Sequence, residues 1–251
     1  MEILYYDREY IYKTLAESLV IGGLPMNKHK ATSEGLKKEI KEVEEYVRLI
    51  DVFKDYLVEK EDEEGRKYIS IEGIIQTDEY FKSMGKYYRR GKALGQVKSG
   101  SGHNCMYKGV SFNMIVEFPL YWLKQYERYH FTDIISSQST MHKILEFDLK
   151  DMFSDEVDPR CIAVIEDLRN QYNEETDKEE KRKIWRRIIN SLPDGFTMTM
   201  GITMNYLQAL SIYNQRRHHK LKEEWGVFCE FLEELPLFKM FLLKEDKVVQ
   251  K

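Results

Sequence analysis

The sequence has no long apolar run and no excess of basic charge, and we expect no leader peptide. No stretch of about 18 apolar residues occurs in its 251 residues, and residues 1–8 have neither the basic start nor the apolar segment of a signal peptide. The formal net charge of -4 provides no general basic field for nucleic-acid phosphates or anionic lipid. We therefore expect a cytoplasmic protein with no membrane partner and no polymeric nucleic acid as ligand, in which any anion is bound locally.

Cysteine is also scarce. Cys105, Cys161 and Cys229 are far apart, odd in number and match no metal-ligand spacing, which suits a reducing compartment and predicts no metal site. Their default role is burial as small hydrophobic side chains. No Walker loop, Rossmann glycine motif, H-E-x-x-H or nucleophile elbow is present either. Because no cysteine has an obvious partner base nearby in the sequence, we assign no catalytic residue.

The apolar pattern predicts the fold class. Apolar residues that recur at spacings of three and four predict helices over 8–21, 33–60, 159–190, 203–217 and 223–235. Residues 110–118 alternate with period two, which predicts a central strand, whereas 131–158 are expected to be irregular. The predicted fold is therefore α+β, a small antiparallel sheet packed with long helices. No repeat or long linker marks a boundary, so we expect a single domain over residues 1–251.

Two polar stretches, 102–139 and 205–219, concentrate groups that a core does not need. Gln125 lies one helical turn before Arg128, so both side chains can reach one ligand. Arg128 offers a planar fork of five donors, which suits a phosphate or a carbonyl edge. Asn205 and Arg216 are eleven residues apart, three helical turns, and so share a face as well.

These stretches resemble the flavin-dependent thymidylate synthases, the ThyX family. The family places a Gly-His before a strand, then a proline-started helix that ends in Q-x-x-R-H-R, and this order is matched by Gly102-His103, Pro119, Gln125 and Arg128. The family's tail runs through L-P, T-x-N and an L-R, and at compatible spacing the chain has Leu192-Pro193, Thr203-Met204-Asn205 and Gln215-Arg216. The resemblance covers residues 100–142 and 190–235, under half of the chain.

The resemblance implies a ThyX-like domain in a homotetramer whose flavin sites are shared between subunits. It implies FAD reduced by NADPH, methylenetetrahydrofolate as one-carbon donor and dUMP as acceptor, with hydride passing from the flavin to the pyrimidine ring. The cofactor carries this chemistry and the protein positions it. The implied cofactor-binding residues are His103, Arg128, Tyr129, His130 and Asn205. The implied substrate-binding residues are Gln125, Ser139 and Arg216.

The sequence also departs from the family pattern. Tyr129-His130 stands where the family has H-R, and Gly109 replaces a histidine of the family. Met141 occupies the position of a phosphate-binding arginine, which leaves room for a changed acceptor, another modified pyrimidine nucleotide.

An alternative function is a non-catalytic protein of the ThyX fold, or a helical interaction module, in which these polar groups have structural roles. Arg128 would then pair with Glu127 or Glu117, and Arg216 would compensate a helix C-terminus. Asn205 would be a satisfied amide and His103 a turn residue.

Overall fold

Helices dominate the chain and two small sheets accompany them, which confirms the α+β prediction. The computed structural model describes residues 1–26, 32–74, 78–98, 101–129 and 131–244. Within these ranges the chain forms two compact units. Unit 1 comprises Met1–Tyr5 and Met114–Thr203, and unit 2 comprises Tyr6–Asn113 and Met204–Lys251. The single ThyX-like domain over residues 1–251 stays a prediction.

In chain order the strands are β1 (Glu2–Tyr6), β2 (Leu57–Glu61), β3 (Lys67–Ile71), β4 (Ser111–Pro119), β5 (Asp133–Ser137) and β6 (Thr197–Asn205). The first helices are α1 (Arg8–Ile21), α2 (Ser33–Val52), α3 (Asp78–Gly95), α4 (Leu120–Tyr126) and α5 (Thr140–Lys143). The later helices are α6 (Pro159–Glu174), α7 (Lys178–Ser191), α8 (Tyr206–Arg216), α9 (Val227–Glu234) and α10 (Phe238–Leu242).

Unit 1 contains most of a four-stranded sheet with the order β1-β4-β6-β5. The inner position of β4 agrees with the prediction of a central strand over 110–118. Alternate residues of β4 are buried, as period two requires, and β6 shows the same alternation. Strand β5 pairs antiparallel with β6, and the register shifts between Ile134 and Ser136. Residues 131–158 are therefore not uniformly irregular, since they include β5 and α5.

A helical hairpin, α6 and α7, completes unit 1. Asp158 caps α6 by accepting the Arg160 backbone N–H at 2.9 Å, and Pro159 is the first helical residue. Asp177 caps α7 in the same way. The inner faces of the hairpin bury a cluster that includes Ile144, Leu149, Ile165, Ile184, Ile188 and Phe196.

Unit 2 packs α1 against α2 and α3 against the β2–β3 hairpin. Thr32 caps α2 by accepting the Gly35 backbone N–H at 3.2 Å. The sequence pattern predicted that this helix extends to about residue 60, but it ends at Val52. Its apolar spacing continues, but residues 57–61 pair with β3, and these tertiary hydrogen bonds override the local helical pattern.

The cysteine prediction is only partly right. Cys229 is buried, and burial raises the pKa of its thiol to about 11. Cys105 and Cys161 are exposed, Cys105 at the start of a short helical turn and Cys161 in the first turn of α6. Over the ranges that the structure describes, no helix combines the length and hydrophobicity needed to cross a membrane.

Candidate functional site

The predicted residues of unit 1 gather at the C-terminal end of α4. The helix follows directly from β4, and Pro119 separates the two. Gln125 is half-buried and Arg128 is exposed one turn later, with the Arg128 backbone N–H donating to the Gln125 carbonyl at 3.4 Å. Because α4 ends at Tyr126, Gln125 lies in its last turn and Arg128 lies just beyond the helix, and a ligand common to both side chains stays a prediction.

Arg128 forms no ion pair with any residue that the structure describes. In particular, neither Glu117 nor Glu127 pairs with it, although both are close in sequence. The alternative in which Arg128 serves a surface ion pair therefore has no support among these residues. The guanidinium keeps its donors available for an anionic or carbonyl ligand.

Tyr129 continues this end of the helix. It is half-buried, its carbonyl accepts the Thr132 hydroxyl at 3.2 Å, and its ring lies 6.5 Å from that of Tyr126. His130 lies outside the described residues.

Ser139 has a structural role in unit 1 because it caps α5. Its hydroxyl oxygen accepts the His142 backbone N–H at 3.4 Å. Met141, one residue into this short helix, is 55% exposed. The position where the resemblance expects a phosphate-binding arginine is thus an uncharged side chain at the surface.

The predicted residues of unit 2 lie on a turn and on α8. His103 is exposed, and Gly102 before it has a φ of 77°, a left-handed conformation that glycine adopts without strain. A short helical turn, Cys105–Lys108, follows. His103 thus lies in a turn, as expected under the alternative in which it has only a structural role.

Asn205 forms a capping box at the start of α8. Its side-chain oxygen accepts the backbone N–H groups of Leu207 and Gln208 at 3.0 and 3.1 Å. In turn, the side-chain oxygen of Gln208 accepts the Asn205 backbone N–H at 2.7 Å. Asn205 therefore has hydrogen-bond partners within the protein, as expected if its role is structural. Its role in binding a flavin stays a prediction.

Arg216, at the last turn of α8, lies over the ring of Trp225. The guanidinium carbon is 4.6 Å from the ring centroid, within the range of a cation–π interaction. Trp225 is fully buried and belongs to a π-helical turn, Lys222–Gly226. Arg216 is therefore held by a specific aromatic partner and does more than compensate the helix dipole.

A cleft of about 1300 Å³ lies in unit 2, and we call it the α8 cleft. The turn that contains Gly102, Asn104 and Lys108 forms one part of its lining, and α8, against which this turn packs, forms another. The end of the described chain, from α10 to Lys244, supplies a third part. His103, Asn205 and Arg216 do not line the cleft themselves, but their immediate neighbours do, as Gly102, Asn104, Leu207, Gln215 and Arg217 show.

The sequence analysis missed several groups that line this cleft. Ser211 and Asn214 lie on the exposed face of α8, and Lys108 makes no ion pair with a described residue. The helical spacing of residues 207, 211 and 214 was the one available signal for the α8 face. Nothing local marked Lys108 as a lining residue.

Glu233 also lines the α8 cleft, and it is hydrogen-bonded to two other lining residues. Its carboxylate accepts the Tyr213 hydroxyl at 2.7 Å and the Lys239 ammonium at 2.9 Å. Burial opposes ionisation, but the two hydrogen bonds outweigh it and lower the pKa of Glu233 below its ordinary value. Burial and the bond to Glu233 raise the pKa of Tyr213 to about 12, so it remains a neutral donor. At neutral pH this part of the cleft therefore holds an ionised Glu233 beside a neutral Tyr213.

No protein-family profile matches the sequence, and no curated protein matches it either. Two solved structures do resemble the fold. One is a crystal structure of ThyX from Helicobacter pylori with FAD and dUMP, with a TM-score of 0.50, 15% identity, and coverage of 67% of this chain and 87% of that one. A second Helicobacter pylori ThyX complexed with FAD and dUMP gives a TM-score of 0.51 at 13% identity, covering 97% of this chain and 98% of that one. The fold is ThyX-like.

At this level of identity the likeness concerns the fold. It bears out the predicted α+β, ThyX-like architecture along nearly the whole chain. The positions of Gln125 and Arg128 in unit 1 and of Asn205 and Arg216 in unit 2 follow from their helices. A common site for the two pairs stays a prediction.

Proposed function

We propose that the chain is a ThyX-like flavoprotein that binds FAD in the α8 cleft and acts on a pyrimidine nucleotide. One observation carries the proposal. The turn after Gly102-His103 and the helix that begins after Asn205 are about a hundred residues apart in sequence, yet they pack against each other and both line one cleft. These are the two segments of unit 2 on which the resemblance to ThyX rests.

The lining of the α8 cleft fits a flavin dinucleotide. Its volume of about 1300 Å³ exceeds the few hundred Å³ that a drug-sized ligand occupies. Leu207 and Leu210 offer an apolar surface for a planar ring, and Ser211 and Asn214 offer hydroxyl and amide groups for its polar edge. Lys108, with no ion pair among the described residues, supplies positive charge for a diphosphate.

Bound FAD would supply hydride transfer, reduced by NADPH, while the side chains bind and orient the reactants. This chemistry needs no protein nucleophile, which agrees with the absence of an obvious partner base near any of the three cysteines in the sequence. The raised pKa keeps the buried Cys229 thiol protonated at neutral pH.

The nucleotide would be held by charge-assisted hydrogen bonds. In this proposal Arg216 contacts the pyrimidine, and Ser139 and Gln125 contact the phosphate end. The resemblance implies Arg128, Tyr129, His130, His103 and Asn205 as flavin-binding residues, and their role stays a proposal separate from the α8 cleft, whose described lining does not include them. The proposed reaction is reductive methylation of dUMP, or of a related pyrimidine nucleotide, with methylenetetrahydrofolate as one-carbon donor in a homotetramer.

The second candidate is a protein of the same fold that binds its ligands without turnover. The exposed and uncharged Met141 favours this candidate, since an arginine is expected at that position. Turnover assays separate the two. Formation of a 5-methylated nucleotide from dUMP, methylenetetrahydrofolate and NADPH supports the enzyme, and bound FAD without product supports the second candidate.

FAD titration of matched variants tests the cleft. Lys108→Ala should weaken FAD binding roughly 10-fold, because a charged hydrogen bond is lost. Lys41→Ala is the matched control, since Lys41 is an exposed lysine of α2 without an ion pair among the described residues. An equal loss in both variants, or no FAD binding by the parent protein, would contradict the assignment of the cleft.

A further inference from the structure

A second cleft, of about 500 Å³, lies in unit 1, and we call it the α7 cleft. Its walls are α5, the end of α6 and the first two turns of α7. Its lining includes Met141, where the resemblance expects a phosphate-binding arginine, and the aromatic and cationic side chains Tyr172, Lys178, Lys181, Arg182 and Trp185. The proposed function places no ligand in this cleft.

The α7 cleft is strongly basic in a chain whose net charge is -4. Residues 178–187 include six basic side chains and two acidic ones. No aspartate or glutamate occurs among the described residues that line the cleft. Lys178 and Arg182 make no ion pair within the described part of the chain, whereas Lys183, which points elsewhere on the helix, pairs with Glu180 at 2.6 Å.

Two carboxylates in the turn before α7, Glu175 and Asp177, accept hydrogen bonds from the backbone. Glu175 accepts the N–H groups of Thr176 and Asp177 at 2.7 and 2.8 Å. Asp177 in turn caps α7 by accepting the N–H groups of Glu179 and Glu180. These local bonds order the turn between the helices, and neither carboxylate is among the described residues that line the α7 cleft.

An aromatic surface lies beside these cations. The indole N–H of Trp185 donates to the Met141 carbonyl at 3.1 Å, which fixes the ring. Lys181 lies 4.7 Å from the centre of the Tyr172 ring and donates to the Glu175 carbonyl at 3.4 Å. Trp185 is half-buried, so part of its ring faces solvent, and it stands one turn after Arg182 on the same side of α7.

We propose that the α7 cleft binds a phosphate-bearing aromatic small molecule of the nucleoside monophosphate class. Lys178 and Arg182 would hold the phosphate, because an ammonium and a guanidinium without carboxylate partners make charge-assisted hydrogen bonds to it. The exposed part of Trp185 would stack on the base. The cleft has room for one nucleotide, and the acidic chain gives no extended basic track for a polymer.

Trp185 provides a local readout in the full-length protein. The other two tryptophans, Trp122 and Trp225, are fully buried. Titration with AMP should therefore quench the fluorescence of Trp185 in a saturable way, and calorimetry run in parallel detects binding that leaves the fluorescence unchanged. Adenosine and inorganic phosphate should each bind at least about 10-fold more weakly than AMP, since each lacks one of the two contacts.

Two glutamine variants on α7 test the cations. Arg182→Gln should weaken AMP binding roughly 10-fold or more, because a charged donor is lost. Lys183→Gln, the matched control one residue away, should leave it unchanged. FAD content, measured on the same samples, should remain at the parent level in both variants, so the result is independent of the α8 cleft.

Several outcomes would overturn the proposal. These are no saturable signal with AMP in either method, equal binding of AMP and inorganic phosphate, and equal losses in Arg182→Gln and Lys183→Gln. A single-stranded oligonucleotide that binds more tightly than AMP, with the same dependence on Arg182, would replace the small molecule by a polymer and would also overturn it.

Discussion

The guanidinium of Arg216 lies over the indole ring of Trp225, 4.6 Å from its centroid. The ring is buried inside the short π-helical turn nine residues along the chain. Stacking on an aromatic face leaves the edge of a guanidinium, where its N–H donors are, directed away from the ring. The pair therefore fixes the position of the Arg216 guanidinium at the end of α8, and the proposed contact of Arg216 with a nucleotide can be tested there.

Replacement of Arg216 should affect both binding and stability. Arg216→Ala is expected to weaken the binding of dUMP by about 1.5–3 kcal/mol, roughly 10- to 150-fold, because a polar group of the ligand is left unpaired. The free energy of unfolding should fall by about 1 kcal/mol as the cation–π contact is lost. Calorimetric titration and urea unfolding measure the two effects, with His218→Ala, at an exposed neighbour, as control. Unchanged binding with a lower stability would remove Arg216 from the nucleotide site.

Asn205→Ala should destabilise the protein by about 1 kcal/mol, because two backbone N–H groups of α8 lose their acceptor. Asn205→Asp keeps a side-chain oxygen at the same place and should retain most of the stability. Thermal and urea unfolding of the two variants measure the difference. Equal stability of the alanine variant and the parent would show that the capping box contributes nothing.

Asp51 is the buried acceptor of a charged network in unit 2. It is 6% exposed and accepts bonds from Arg8 Nε at 2.8 Å and from the Tyr12 hydroxyl at 2.5 Å. Burial alone would lower the pKa of Arg8, but the bonds to Asp51 and Tyr12 outweigh it and raise that pKa. Asp51→Ala should cost about 2–3 kcal/mol, because the half-buried Arg8 loses its carboxylate partner and keeps its bonds to the Tyr6 and Tyr12 hydroxyls.

Tyr12→Phe is the milder companion of this variant. It removes one hydrogen bond and should cost about 1 kcal/mol in urea unfolding. A urea midpoint for Asp51→Ala equal to that of the parent would contradict the importance of the network.

Glu59 should make stability depend on pH in acid. Its carboxylate accepts bonds from Lys67 at 2.6 Å, from the Tyr88 hydroxyl at 2.6 Å and from Lys92 at 3.3 Å. The bond from Lys67 contributes most, and together they lower the pKa of Glu59 from 4.5 to about 2. A carboxyl group with a lowered folded-state pKa stabilises the fold above the unfolded value and loses this effect as pH falls toward the folded value.

The free energy of unfolding of the parent should therefore be about 1 kcal/mol higher than that of Glu59→Gln at pH 7. This difference in stability should disappear as the pH falls from 4.5 to 2. Urea unfolding at several pH values measures it. Glu63→Gln is the control, since the Glu63 side chain is 95% exposed. A difference that stays constant down to pH 2 would show that Glu59 does not carry the effect.

Much of the fold could be predicted because the apolar pattern and the caps agree with tertiary packing. The alternation of β4 and the proline start of α6 are examples. Strand β6 was missed although Met198, Met200, Ile202 and Met204 alternate with exposed or half-buried residues, a signal of period two that the sequence did contain. Strand β5 is exposed along its length, so no apolar alternation could reveal it.

The site was less predictable than the fold. The sequence predicted that Gln125 and Arg128 lie one helical turn apart, whereas α4 ends between them and leaves Arg128 in the turn that follows. The α8 cleft combines residues near 102–108, 207–217 and 239–244, and no local rule links segments so far apart. The partner of Arg216 likewise depends on a π-helical turn, for which composition gives no signal.

The most direct test is to identify what the purified full-length protein carries or takes up. If the α8 cleft is a flavin site, the protein should absorb in the near-ultraviolet and blue, and denaturation should release FAD, identified by its mass, at about one equivalent per chain after reconstitution. A colourless protein that binds no FAD when an excess is added would contradict the proposed flavoprotein function.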